Sequence, residues 1–171
     1  MNNLAVDHLT NRLEFDMEQI NIREAELQDL DKLLEFEQGI VNTERPYDST
    51  LKEGEIHYYD LAKYITSPLI GVFVAELDSE IIGSGYARIE KSKTYLKHEW
   101  YAYLGFMYVT PSHRGKGVNR KIIDALKQWS LAQGVTEMRL EVYANNENAK
   151  RAYEKVGFAP HMLEMRMNLE E

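Results

Sequence analysis

Cysteine is absent from this chain of 171 residues. That excludes disulfides, thiolate metal sites and a cysteine nucleophile. Long apolar runs are missing as well. The longest, such as Leu69–Ala75, fall far short of the roughly 20 residues that span a bilayer. The opening stretch, MNNLAVDHLTNRLEFDMEQ, has no basic segment followed by an apolar one, so no signal peptide is expected. The chain reads as cytoplasmic, without a membrane partner. Positive charge is scarce: 20 Lys and Arg stand against 28 Asp and Glu, a net charge of −8. Such a chain repels nucleic acid and anionic lipid. The same charge favours cationic partners, although much of it serves solubility. The five histidines show no metal-ligand spacing, His57 and His98 included, so no metal site is expected.

What remains is ordinary for one globular domain. Hydrophobic residues make up 44% and charged residues 28%, enough for one sizeable core. Residues 1–18 read as a polar N-terminal extension with a weakly amphipathic, short-helix pattern. A single domain is expected over 19–171. Ile20–Arg23 alternates like a half-buried strand. Ala25–Phe36 places Leu27, Leu30, Leu33 and Leu34 near helical spacing. A loop with Pro46 follows, and the pattern predicts a second helix over Glu53–Ile65. Ile70–Leu77 and Ile81–Glu90, joined by Asp78-Ser79, read as a hairpin. Glu99–Val109 is a further strand, and Val118–Gln133 a helix ended by Gly134. Met138–Tyr143 is a strand, Glu147–Lys155 a short helix stopped by Gly157, and Pro160–Leu169 a last strand. Met162, Met165 and Met167 in it read as core packing. The fold class is α/β: a mixed central sheet.

The most informative stretch is LGFMYVTPSHRGKGVNRKII, residues 104–123. Pro111 stops a strand, and Arg114-Gly115-Lys116-Gly117 leads into a helix at Val118. A helix start carries unpaired N–H groups and a positive dipole end. Glycines clear side chains away from those donors. Arg114, Lys116 and Arg120 add positive charge. The pattern builds an anion nest suited to a pyrophosphate. A Walker loop is excluded, because no Ser or Thr follows Lys116. A Rossmann fingerprint is excluded by the missing third glycine and acidic residue. A glycine-rich turn with solvated basic residues is the plain alternative.

Two motifs together resemble the Gcn5-related N-acetyltransferase family. The first is the acetyl-CoA loop, Arg/Gln-x-x-Gly-x-Gly/Ala after a strand ending Val-x-Pro. Here it is Val109-Thr110-Pro111 followed by Arg114, Gly117 and Asn119. The second is Asn-x-x-Ala-x-x-x-Tyr-x-x-x-Gly-Phe, matched by Asn146, Ala149, Tyr153, Gly157 and Phe158. Both stand in the family's order. Asn119 departs from the usual Gly or Ala, which implies an altered contact near the pyrophosphate with the backbone N–H retained.

The resemblance implies a mixed sheet with helices on both faces, whose two central parallel strands splay apart after a bulge. It implies acetyl-CoA as acyl-donor cosubstrate and an amine as acceptor. The backbone of Met107, Tyr108 and Val109 would hold the pantetheine and the acetyl carbonyl. The backbone amides of Gly115, Lys116, Gly117, Val118, Asn119 and Arg120 would hold the pyrophosphate, with Arg114 opening the loop. Asn146 would bond the pantetheine arm. Tyr153 takes the general-acid position, and a phenol suits the protonation of a leaving thiolate. Some members carry a glutamate base where this chain has Tyr103. Glu141 matches a base position of another branch, with Glu99 and a water chain as alternatives. The acceptor region would draw on Glu35, Glu37, Glu44, Arg45, Tyr47, His57, Tyr58 and Tyr59. A small-molecule amine is the favoured acceptor. Protein amines, a non-catalytic acyl-CoA sensor, and a homodimer using Tyr101 and Tyr103 remain open.

Overall fold

The computed structural model describes residues 19–169, and these fall into two compact units, one ending at Glu141 and one beginning at Val142. The expected helix within 1–18 lies outside the described residues. The first unit is built on a sheet of five strands: β1 (Asn21–Glu24), β2 (Ile70–Leu77), β3 (Glu80–Lys91), β4 (Trp100–Val109) and β5 (Met138–Arg139). They lie in chain order; β1 to β4 pair antiparallel and β4 with β5 parallel. The β2–β3 turn is the expected Asp78-Ser79, both left-handed at φ 50° and 65°. A two-residue turn with two positive φ values matches the twist of the flanking strands.

Helices cover both faces. Alternate strand residues point to opposite faces, so Val72 and Val74 face one side and Gly71 the other. On the first side Val72, Val74, Tyr86 and Phe106 pack with Leu33, Phe36 and Ile40 of α1 (Leu30–Glu44) and with Leu61 of α2 (Leu61–Thr66). On the other side lies α3 (Val118–Ala132), whose Val118, Ile122, Ile123 and Leu126 are buried. The second unit contains α4 (Glu147–Glu154). No helix among the described residues is long and apolar enough to cross a membrane.

Several expected elements are redrawn, each for a local reason. The first helix begins as a 3-10 turn at Leu27–Asp29 and runs on to Glu44, where Pro46 prevents continuation. The second is only Leu61–Thr66, not Glu53–Ile65. The backbone N–H groups of Tyr58 and Tyr59 bond the Glu37 carboxylate. Asp60 caps the helix by accepting from Lys63 N–H, so it starts one residue later. β5 is confined to Met138–Arg139 rather than Met138–Tyr143. No strand is formed over Pro160–Leu169. A strand exists through its hydrogen-bonded partner, and the described residues of the second unit contain no strand. Met162, Met165 and Met167 are accordingly exposed rather than core.

The start of α1 is tied to the sheet by an ion-pair cluster. Arg23 on β1 donates to both oxygens of Asp29 at 2.7 and 3.0 Å and to Glu76 of β2 at 2.9 Å. Asp29 also accepts from the Glu26 N–H at 2.8 Å. The Arg23 hydrogen bonds hold the buried Asp29 carboxyl below its ordinary pKa. A carboxylate with a depressed folded pKa stabilises the fold above its unfolded pKa, about 3.9, and loses that contribution as pH falls through the folded value. Asp29→Asn should flatten the acid limb of stability below about pH 4. Urea midpoints measured from pH 6 downward check this; an acid limb identical to the wild type would refute the assignment.

Candidate active site

The central irregularity of the sheet is in β4. Before it, Gly105 pairs with Tyr86; after it, Tyr108 pairs with Ser84 and Val109 with Gly83. One extra residue has entered β4, a β-bulge. At the bulge Phe106 is left-handed, φ 57°, although its ring is buried in the core. A bulky residue in that region is strained by about 1–3 kcal/mol and persists only where its surroundings hold it. Glycines flank the bulge. A Cβ on Gly105 would stand 2.4 Å from the Tyr86 hydroxyl, and one on Gly85 2.6 Å from Met107 Sδ.

The bulge decides where the backbone of Val109 points. Thr110 N–H donates to Ile82 C=O at 2.9 Å, across to β3. Successive residues of a strand turn their N–H and C=O groups to opposite edges. Val109 therefore turns both groups away from β3. Its carbonyl accepts from Arg114 Nε at 3.0 Å, and its N–H faces the same edge. On that edge β5 pairs with β4 only at Ala102 and Tyr103. Past Tyr103 no strand among the described residues of this unit covers β4.

The loop that follows ends this edge in a nest. A 3-10 turn at Pro111–His113 leads to Gly115 and Gly117, left-handed at φ 74° and 81°. Gly117 is the N-cap of α3 and no side chain caps the helix. The first intrahelical bond is Lys121 N–H to Gly117 C=O, so the N–H groups of Val118, Asn119 and Arg120 are not spent within the helix. Nothing stands within 4 Å of where a Gly115 Cβ would be. An anion meets backbone donors, a helix dipole and open space there. Arg114 folds back over the Tyr108 ring, 5.7 Å from its centroid, instead of extending along the first helical turn. Arg120 is exposed, 3.8 Å from Asp124.

The sequence profile of the Acetyltransferase (GNAT) family matches residues 30–158. The chain belongs to that family. Streptothricin acetyltransferase of Escherichia coli is 34% identical over 84 residues, 49% of this chain and 44% of that protein. The chain thus spans less than half the length of the curated relatives it matches. Among solved structures, a mutant of the BH1408 protein of Bacillus halodurans superposes with a TM-score of 0.79 at 18% identity, covering 88% of this chain and 99% of that one. A predicted acetyltransferase from Clostridium acetobutylicum, solved with acetyl-CoA, gives 0.65 at 21% identity over 88% and 96%. At these identities the likeness is one of fold.

In this GNAT chain the α1–α2 side of the sheet carries a tyrosine cluster. Tyr59 packs edge-on to Tyr86 and Phe106, at 5.4 and 5.6 Å between centroids. Arg88, paired with Glu90 and donating to the Tyr64 hydroxyl at 2.5 Å, lies over the rings of Tyr64, Tyr86 and Tyr103. Burial pushes the Tyr86 phenol up to about 12. Burial raises Tyr59 and Tyr103 as well, and for Tyr103 the neighbouring Glu141 carboxylate adds to it. These phenols are therefore neutral hydrogen-bonding groups, not bases. Glu141 itself is exposed. It lies two residues past the end of β5, with its carboxylate against the Tyr103 phenol.

The acceptor-region residues divide by role. Glu37 is fully buried and accepts from Tyr58 N–H at 2.7 Å, Tyr59 N–H at 3.0 Å and pairs with His57 Nδ1 at 2.8 Å. It fastens the loop before α2 to α1. Tyr58 donates to Glu44 at 3.0 Å, and burial raises that carboxyl. Arg45 donates to the carbonyls of Lys52 and Gly54. Glu35 pairs outward with Lys32 at 2.9 Å. In the second unit, Asn146 Oδ1 accepts from Ala149 N–H at 3.1 Å and caps α4. Tyr153 packs edge-on to Phe158 at 5.9 Å. Ser84, Gly85, Gly105 and Arg88 are site-building residues to which the sequence reading assigns no role.

Proposed function

We propose that this protein transfers the acetyl group of acetyl-CoA to a primary amine of a small molecule, within a single domain over residues 19–171. The observation that carries the reading is a Val109 N–H turned away from β3, followed one loop further on by the uncapped start of α3. The residues fit the donor. The nest from Gly115 to Arg120 takes a pyrophosphate, and the open edge of β4 at Met107 and Val109 offers backbone bonds to a pantetheine amide chain. Acetyl-CoA supplies the activated acyl carbon. Val109 N–H then stabilises the oxyanion that forms as the amine nitrogen bonds that carbon. Glu141 or water first takes a proton from the substrate ammonium, so that the neutral amine attacks, and the nitrogen sheds its second proton to solvent as the amide forms. Tyr153 delivers a proton to the departing thiolate as the carbon–sulfur bond breaks, and Asn146 orients the pantetheine arm. Similarity to a streptothricin acetyltransferase, the net charge of −8 and the tyrosine-rich α1–α2 side support a cationic small-molecule acceptor.

The test is thermal unfolding with and without acetyl-CoA, followed by thiol release against a panel of small amines. A ligand that binds only the folded state adds about 2.7 kcal/mol of stability at 100 times its Kd. A saturable rise in midpoint, with thiol released only when an amine is present, is the expected result. No rise at millimolar acetyl-CoA would overturn the reading.

A further inference from the structure

Ser84 lies in the middle of β3 with no solvent exposure. A hydroxyl in such a place must find a partner. Its Oγ donates to the carbonyl of Phe106 at 3.2 Å. This is the bulge residue, and Ser84 is also where the β3–β4 register shifts. From the helix side Tyr59 closes on the same residue, its ring edge-on to the Phe106 ring. The Tyr59 hydroxyl also lies within reach of the Phe106 backbone N–H. Tyr59 is itself fixed by the Glu37 carboxylate through its own N–H. A left-handed phenylalanine is thus gripped through its carbonyl by the sheet, and through its ring and N–H by the acceptor-side loop.

The register shows what the grip protects. In the observed pairing Ile82 C=O accepts from Thr110, and Val109 N–H stays out of the β3–β4 ladder. If the bulge were ironed out, β4 would continue the pairing Tyr86↔Gly105 and Ala87↔Leu104 without interruption. Ile82 would then stand opposite Val109. Its carbonyl, which faces β4, would take the Val109 N–H, and Thr110 would be the residue left facing the open edge. One residue of register converts the oxyanion donor into a ladder bond.

We propose that Ser84 and Tyr59 are positioning residues of the transferase: they lock the β4 bulge at Phe106 and thereby keep Val109 N–H out of the sheet and aimed at the acyl site. The inference rests on the acetyl-transfer reading above. It adds a link between the loop that borders the acceptor side and the donor that serves the reacting carbonyl.

Ser84→Ala and Tyr59→Phe test it, each removing one hydroxyl while keeping the remaining shape. Loss of a full oxyanion donor costs about 10²–10³ in kcat. Each variant should therefore lose about tenfold or more in kcat, with KM for acetyl-CoA within about twofold. Residues that only stabilise the fold would lower the melting midpoint and leave kcat unchanged well below it, and that result overturns the proposal. Backbone hydrogen exchange gives a readout that needs no turnover. In the wild type Thr110 N–H should be protected and Val109 N–H fast, and in Ser84→Ala this protection should move toward Val109. Unchanged exchange at both residues in a folded Ser84→Ala also overturns it. A wild type that releases no thiol with any amine counts against the acetyl-transfer reading, whereas the exchange pattern judges the bulge lock separately.

Discussion

Glu37→Leu should lower the free energy of unfolding by up to about 6 kcal/mol, because two half-buried backbone N–H groups lose their acceptor at as much as about 1–3 kcal/mol each. The carboxylate is fully buried on α1 and takes the N–H groups of both Tyr58 and Tyr59. Leucine fills similar space but accepts nothing. His57, the third partner, is largely exposed, with 58% of its side chain accessible. An exposed partner can turn to water, so His57→Ala should cost no more than about 1 kcal/mol. Chemical denaturation of the two variants side by side separates the contributions. If Glu37→Leu and His57→Ala are equally mild, the carboxylate is not what fastens the loop.

Tyr153→Phe should reduce kcat by about 10²–10⁴, the usual yield of a positioned general acid. The affinity for acetyl-CoA should stay within about twofold. The Tyr153 ring packs edge-on to Phe158, and phenylalanine keeps that packing. The acetyl-CoA-induced rise in thermal midpoint should be retained. A variant that binds acetyl-CoA and still releases thiol at the wild-type rate would remove Tyr153 from the mechanism.

The parts of this protein written in local pattern were legible in the sequence. The hairpin of β2 and β3, the long β4, α3 and the glycine loop all carry their signals within a few neighbouring residues. The elements misread are those set by distant partners. Glu53 to Tyr59 has a plausible helical composition, yet its last N–H groups belong to Glu37, some twenty residues away. Residues 160–169 alternate as a strand does, but alternation does not supply the neighbour a strand needs.

The bulge lock was half visible. A Gly-Ser-Gly run in the middle of a strand, residues 83–85, signals a close backbone approach or a bulge. The sequence alone does not say that the serine reaches Phe106, because that bond joins residues twenty-two apart. Glu141, by contrast, was placed by motif alone. The structure adds that it is exposed and neighbours the Tyr103 phenol, which ties it to the phenol cluster rather than to a buried ionic site.

The smooth floor beneath α3 sets the reach of its electric field. An added Cβ at Gly71 would meet the Trp129 ring at 2.7 Å, and one at Gly85 would meet Ile122 at 2.9 Å. At Gly83 it would meet Ile122 at 3.1 Å and Val118 at 3.3 Å. The side chains of α3 therefore rest directly on the backbone of the sheet. Its positive end begins where β4 stops, and a dipole's influence fades within about one helical turn. A layer of methyl groups under α3 would lift the whole helix and carry that end away from the strand terminus. On the proposed reading, three missing side chains on β2 and β3 therefore help to set how close that positive end lies to the proposed acyl site.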